Sequence, residues 1–114
     1  MIIDYKGVKM SEEQNDGFAS IVLFEIRLLN TITESKIKFK IRCSSAAIEN
    51  PKFDAGKFIA EKSRMALDKY SKIKGVDITI ANKLAVLLEI AADIGECRKA
   101  WMEGNKEHII NWNV

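Results

Sequence analysis

Residues 36–43 read Lys-Ile-Lys-Phe-Lys-Ile-Arg-Cys, a run in which cationic and apolar side chains alternate without a miss. A helix, turning about 100° per residue, cannot sort such a run into two faces, whereas a strand sends successive side chains to opposite sides. The run is therefore a β-strand, with Ile37, Phe39, Ile41 and Cys43 on one face and Lys36, Lys38, Lys40 and Arg42 on the other. A slip of one residue would drive the cations into a core, so the register of this strand is tightly specified.

Such a strand needs a neighbour, and residues 18–29 supply one. Phe18, Val22, Phe24, Ile26 and Leu28 share a face; Ala19, Ile21, Leu23, Glu25, Arg27 and Leu29 share the other. Joined as a hairpin through the polar segment 30–35, the two strands set Ile26 against Phe39, Phe24 against Ile41, Leu28 against Ile37 and Glu25 opposite Lys40. A cross-strand charge pair contributes only ~0.2–1 kcal/mol, so Glu25 and Lys40 select a register rather than supply stability. Ala19, Ile21 and Leu23 make the first half of the second face apolar. That end of the outer sheet surface is expected to be covered by a helix or by another copy of the chain, and nothing else in the chain is evidently available to do it.

The remaining segments fill in an architecture. Residues 1–10, with Ile2, Ile3, Tyr5 and Val8, predict a short first strand in which Gly7 marks a bulge. Residues 11–17 are polar and close on Asp16-Gly17, a turn signal. Beyond the cationic strand, Ser44-Ser45 reads as a strand-terminating turn, and Asn50-Pro51 opens a helix, with Asp54 as a competing cap and Gly75 as its end. Ala55, Ile59, Ala66, Tyr70 and Ile73 form its apolar side, and Lys57, Glu61, Arg64, Asp68 and Lys72 its polar side. A second helix, capped by Asp77 or Thr79 and ending near Gly104-Asn105, is apolar over more than half its circumference, leaving Asn82, Glu89, Asp93 and Glu96 to water. The alternation of Ile110, Trp112 and Val114 predicts a short final edge strand. Strands first and helices after predict an α+β fold: an antiparallel sheet of three to four strands with two C-terminal helices packed on one face.

Length and composition bound the function. A chain of 114 residues, 47% hydrophobic and 30% charged, is one globular domain spanning 1–114. No apolar run approaches the ~20 residues of a membrane span, and the N-terminus lacks a secretory layout, so the expected setting is cytoplasmic. Cys43 and Cys97 read as reduced, buried thiols. A net charge of +2 argues neither for a nucleic-acid partner nor for an acidic mimic of one.

Four features bear on chemistry. The stripe Lys36, Lys38, Lys40 and Arg42 extends ~20 Å at ~3.3 Å per residue and has the spacing to track phosphates, although lysines on a strand also serve to discourage aggregation. Arg98 falls in the middle of the second helix's apolar arc, where it either snorkels off the helix end or reaches an anion. Glu89, Asp93 and Glu96 share a helical strip, which reads as a solvated face in preference to a metal site. His108 is the lone histidine, so histidine triads and multi-histidine zinc sites are out of reach within one chain, and no glycine-rich phosphate loop is present. No catalytic residue, metal or cofactor is assigned.

A strand running into Ser44-Ser45-Ala46, followed by Asn50-Pro51, Phe53-Asp54, Gly56-Lys57 and Ile59-Ala60 and by a helix closed at Gly75, resembles the signature of a family of small tailed-phage and prophage proteins of unassigned function. The resemblance covers about residues 37–75. Ser71 or Lys72 stands near the place of the family's tryptophan, and the second helix is not part of the signature. What the resemblance implies is a phage accessory protein with no catalytic residues.

The leading functional reading is a non-enzymatic binding protein that forms homo-oligomers and inhibits or sequesters a host component, with Ala19, Ile21 and Leu23 at its interface. The first alternative is a nucleotide or nucleic-acid binder using Lys36, Lys38, Lys40, Arg42 and Arg98. The second is an enzyme acting on a small anionic substrate at Ser44-Ser45.

Overall fold

The alternating run forms a strand that closes one side of a four-stranded antiparallel sheet. A computed structural model describes residues 5–14, 20–30, 35–74 and 80–112. In chain order the elements are β1 (Gly7–Gln14), β2 (Ser20–Asn30), β3 (Ser35–Ser44), α1 (Ser45–Glu49), α2 (Ala55–Lys74), α3 (Ile80–Met102) and β4 (Glu107–Asn111). The strand order is β3-β2-β1-β4. The fold is α+β, as the sequence predicts, with the helices inserted between the third strand and the last.

The β2–β3 register is the expected one: Phe24 pairs with Ile41, Ile26 with Phe39, Leu28 with Ile37 and Glu25 with Lys40. Hydrophobic alternation on both strands permits no other parity once one face is buried. The first strand differs from expectation. It begins at Gly7 and continues through the polar Ser11–Gln14, which pair with Leu23, Val22, Ile21 and Ser20 of β2. The long ladder on β2 holds this segment extended against its turn-like composition, a case of tertiary pairing overriding local propensity. Phe18 and Ala19 lie outside the described residues.

Gly7 is not a bulge. It pairs regularly with Arg27 on one side and Asn111 on the other. Its φ is 149°, and a Cβ added there would fall 1.8 Å from the carbonyl oxygen of Ile110. Glycine is required because β4 approaches β1 closely at this point.

The helix expected after Asn50-Pro51 is α2, and a short helix, α1, precedes it where a turn was expected. Ser44 caps α1 by accepting a hydrogen bond from the Ala47 amide at 3.3 Å, so Ser44-Ser45 start a helix rather than form a plain turn. Pro51 disfavours helical geometry at the residue before it, and Asn50 sits at φ −63°, ψ 128°, ending α1. The competing cap is the one used for α2: the Asp54 carboxylate accepts from the Lys57 amide at 3.2 Å. Gly75 and the expected caps Asp77 and Thr79 lie outside the described residues. At the far end of α3, Gly104 with φ 92° allows its amide to reach Trp101 O and that of Asn105 to reach Ala100 O, a Schellman closure.

One core joins the layers. Val8, Met10, Val22, Phe24, Ile26, Phe39 and Ile41 project from the sheet onto Ile48 of α1, Ile59 of α2, and Ile90, Ile94, Cys97 and Trp101 of α3. Burying a side chain of this size stabilises by about 1.5–3 kcal/mol. The apolar arc of α3 is not wholly used, because Leu88 is 74% exposed. Among the described residues no helix is long and apolar enough to cross a membrane.

Candidate binding surface

All three helices contribute to the core on one side of the sheet, so residues of opposite parity form a second, separate face. Across it, Arg42 of β3 aligns with Leu23 of β2 and Ser11 of β1; Lys40 aligns with Glu25 and Lys9; Lys38 aligns with Arg27 and Gly7. Ile109 of β4 extends the Lys40 row, and Ile21 lies between Ser44 and Glu13. The expected cationic stripe is thus one margin of a mixed grid. The backbone of Lys36 continues β3 opposite Leu29.

Ion pairs lace this grid diagonally. Arg42 Nε lies 2.8 Å from the Glu13 carboxylate, reaching from β3 to β1 across the β2 positions Ile21 and Leu23. Ile21 and Leu23, between the strands this bridge joins, are both half-buried. Ala19 lies outside the described residues. Glu25 does not bond chiefly to Lys40 opposite. It accepts from Lys38 at 2.9 Å and from Arg27 at 3.1 Å. Lys9 pairs with Glu107 at 3.4 Å. Lys40 is exposed and makes no ion pair among the described residues.

Glu25 and Arg27 are well shielded for a surface pair, their side chains 15% and 22% exposed. Burial by itself would raise the Glu25 pKa, but the hydrogen bonds from Lys38 and Arg27 outweigh it and hold the carboxyl below its ordinary range. The Tyr5 ring covers Arg27, whose guanidinium carbon is 4.6 Å from the ring centroid. The buried Tyr5 hydroxyl approaches this cluster without completing a hydrogen bond. Burial first, then the adjacent Glu25 charge, push its pKa up to about 12. Tyr5, Lys9 and Glu13 were not singled out from sequence, although Lys9 and Glu13 share the parity opposite to buried Val8 and Met10.

Arg98 does not belong to this face. From the buried side of α3 it donates to Ile48 O at 2.8 Å and Asn50 O at 3.1 Å, and it lies over the Phe53 ring at 5.6 Å. Both carbonyls lie where α1 ends, Asn50 O accepting from the Phe53 amide at 2.9 Å as well, so the guanidinium fastens α1 and its exit to α3. Neither snorkelling nor a ligand is needed to explain its position.

The other candidates are structural too. Asp93, expected in water, accepts a hydrogen bond from the Trp112 indole, tying the segment after β4 to α3. Glu89 and Glu96 are exposed, and among the described residues no three His, Cys, Asp or Glu side chains stand close enough to hold a metal ion. Cys43 and Cys97 are free thiols; burial pushes both pKa values up, Cys97 to about 12. No family model matches the chain, and no match is found among curated proteins or solved structures.

Proposed function

We propose that this chain is a small non-enzymatic binding protein that meets another protein through the helix-free face of its sheet. The observation that carries the reading is the composition of that face: half-buried Ile21 and Leu23, a 46% exposed Ile109, and a shielded Tyr5–Arg27–Glu25 cluster, with no helix among the described residues laid over them. Apolar residues with arginine and tyrosine among them are the composition favoured at interface centres. A second copy of the chain is the first partner to consider. The resemblance over residues 37–75 adds a biological setting, a phage accessory protein that inhibits or sequesters a host component. Two free cysteines suit a reducing, cytoplasmic location.

The nucleotide or nucleic-acid reading is weakened by the same geometry. Lys38 and Arg42 each hold a carboxylate, Arg98 is engaged on the opposite side, and no aromatic residue of β2 or β3 among those described stands on the outer face for a base to stack on. The enzyme reading on Ser44-Ser45 is weakened, since Ser44 Oγ accepts from the Ala47 amide as a helix cap and Ser45 is the first residue of α1.

Sedimentation velocity across micromolar concentrations tests the proposal. The wild type self-associates, and Leu23→Glu, on a half-buried outer position, is monomeric with its unfolding cooperativity retained. A wild type that stays monomeric, or a Leu23→Glu variant that associates equally well, removes self-association through this face.

A further inference from the structure

β3 ends the sheet. β2 satisfies one row of its backbone donors and acceptors, but among the described residues the opposite row of this ten-residue strand has no neighbouring strand. Among the described residues, β3 makes no backbone hydrogen bonds of the loop or turn kind that would cap that row. An open edge of this length is a template for a further strand, and its side chains decide which strand it accepts.

A second β3 is a poor fit. Antiparallel pairing about a two-fold axis that keeps both buried faces on one side couples residues of equal parity. Lys38, Lys40 and Arg42 of one copy then stand against the same cations of the other, and like charges directly opposite are destabilising. The other parity sets those cations beside Phe39 and Ile41 and turns one copy's helices to the wrong side. The opposite edge of the sheet is no better suited: β4 has five residues and one carboxylate, Glu107, which is already joined to Lys9.

What complements the edge is a strand with carboxylates at alternate positions and small apolar residues between. Its acids would meet Lys40, which makes no ion pair among the described residues, flanked by Lys38 and Arg42, which engage Glu25 and Glu13 and whose side chains are 47% and 55% exposed. On the helix side, Cys43 is only half-buried, so that row is not sealed off. We propose that the outer edge of β3 docks an extended acidic segment of a partner protein as a fifth strand. This goes beyond the face-binding reading by adding a second protein contact, at the edge of the same sheet.

The test titrates the full chain with a synthetic peptide of alternating glutamate and valine, about as long as β3, by calorimetry and amide hydrogen exchange. Binding is expected, with slowed exchange at β3 amides that the β2 ladder leaves open. The same peptide N-methylated throughout does not bind, and neither does its lysine-valine counterpart. Lys40→Glu, at an exposed position, weakens binding at least about tenfold. Binding undiminished by N-methylation, or protection confined to outer-face residues, overturns edge docking but leaves a protein-binding face to be judged by the Leu23 variant. No binding of the acidic peptide overturns the proposal outright. If Leu23→Glu also leaves association unchanged, the protein-binding reading fails with it.

Discussion

On the helix side of β2, Val22, Phe24 and Ile26 are wholly out of water; on the other side, Leu23, Glu25 and Arg27 keep part of their surface. The first set packs against α1, α2 and α3, with Phe24 edge-on to Phe58 at 6.1 Å between centroids. The second is held by charge pairs that cross the sheet diagonally. Apolar burial is close to additive with area and is not weakened by charge screening, whereas partly exposed ion pairs contribute little each and weaken on screening. One strand therefore carries stability on one face, while the other is free to be shaped for recognition.

The sharpest way to break this contrast is to truncate neighbouring residues of the same strand. Phe24→Ala is expected to cost about 3–5 kcal/mol, the range for a large buried aromatic, and Leu23→Ala about 1 kcal/mol or less. Urea midpoints at an unchanged denaturant slope measure both. Comparable losses would mean that the outer face is a second core. A Leu23→Ala loss that grows with protein concentration would identify another copy as its cover.

Arg98 sharpens the comparison from the buried side, where a polar group does what apolar packing does elsewhere. Arg98→Leu removes donors from two carbonyls at the end of α1, and a loss of about 1–3 kcal/mol is expected. Arg98→Lys recovers only part, because an ammonium lacks the guanidinium fork that reaches Ile48 and Asn50 together. Full recovery by lysine in chemical denaturation would show that charge alone suffices.

How much of this was legible in the sequence depended on the range of the interaction. The β2–β3 register was readable because alternation on two adjacent strands admits one parity. The span of α3 followed from its apolar arc and Gly104. The short helix α1 was missed because Ser44-Ser45 read as a turn, and only the Ser44 cap on Ala47 shows that a helix starts there, while Asp54, offered as a competing cap, opens α2. Ser11–Gln14 look like a turn until β2 is there to pair with them. The site was the least visible part. Lys38, Arg42, Ile21 and Leu23 were rightly placed on one face, with Glu25 among the cations, but the Arg42–Glu13 bridge depends on β1 lying next to β2, which no local pattern encodes. Arg98 was noticed for being out of place, and its partners lie 48 and 50 residues away.

The smallest expected effect is at Glu25, and it is separable from the others by pH. Its carboxyl has a folded pKa below the ordinary 4.5, since the donors Lys38 and Arg27 outweigh the upward push of burial. A group depressed in the folded state contributes stability above its unfolded pKa and loses it as pH falls through the folded one. Glu25→Gln should therefore cost on the order of 1 kcal/mol near neutrality. The gap in melting temperature between wild type and variant then closes as pH falls from about 4.5 through the depressed value. Added salt should narrow it only slightly, because Glu25 is shielded, whereas the more exposed Arg42–Glu13 bridge should lose its contribution readily. A gap that persists unchanged into acid would mean that the glutamine variant loses shape rather than charge, and the outer face would then be held by packing, as the inner one is.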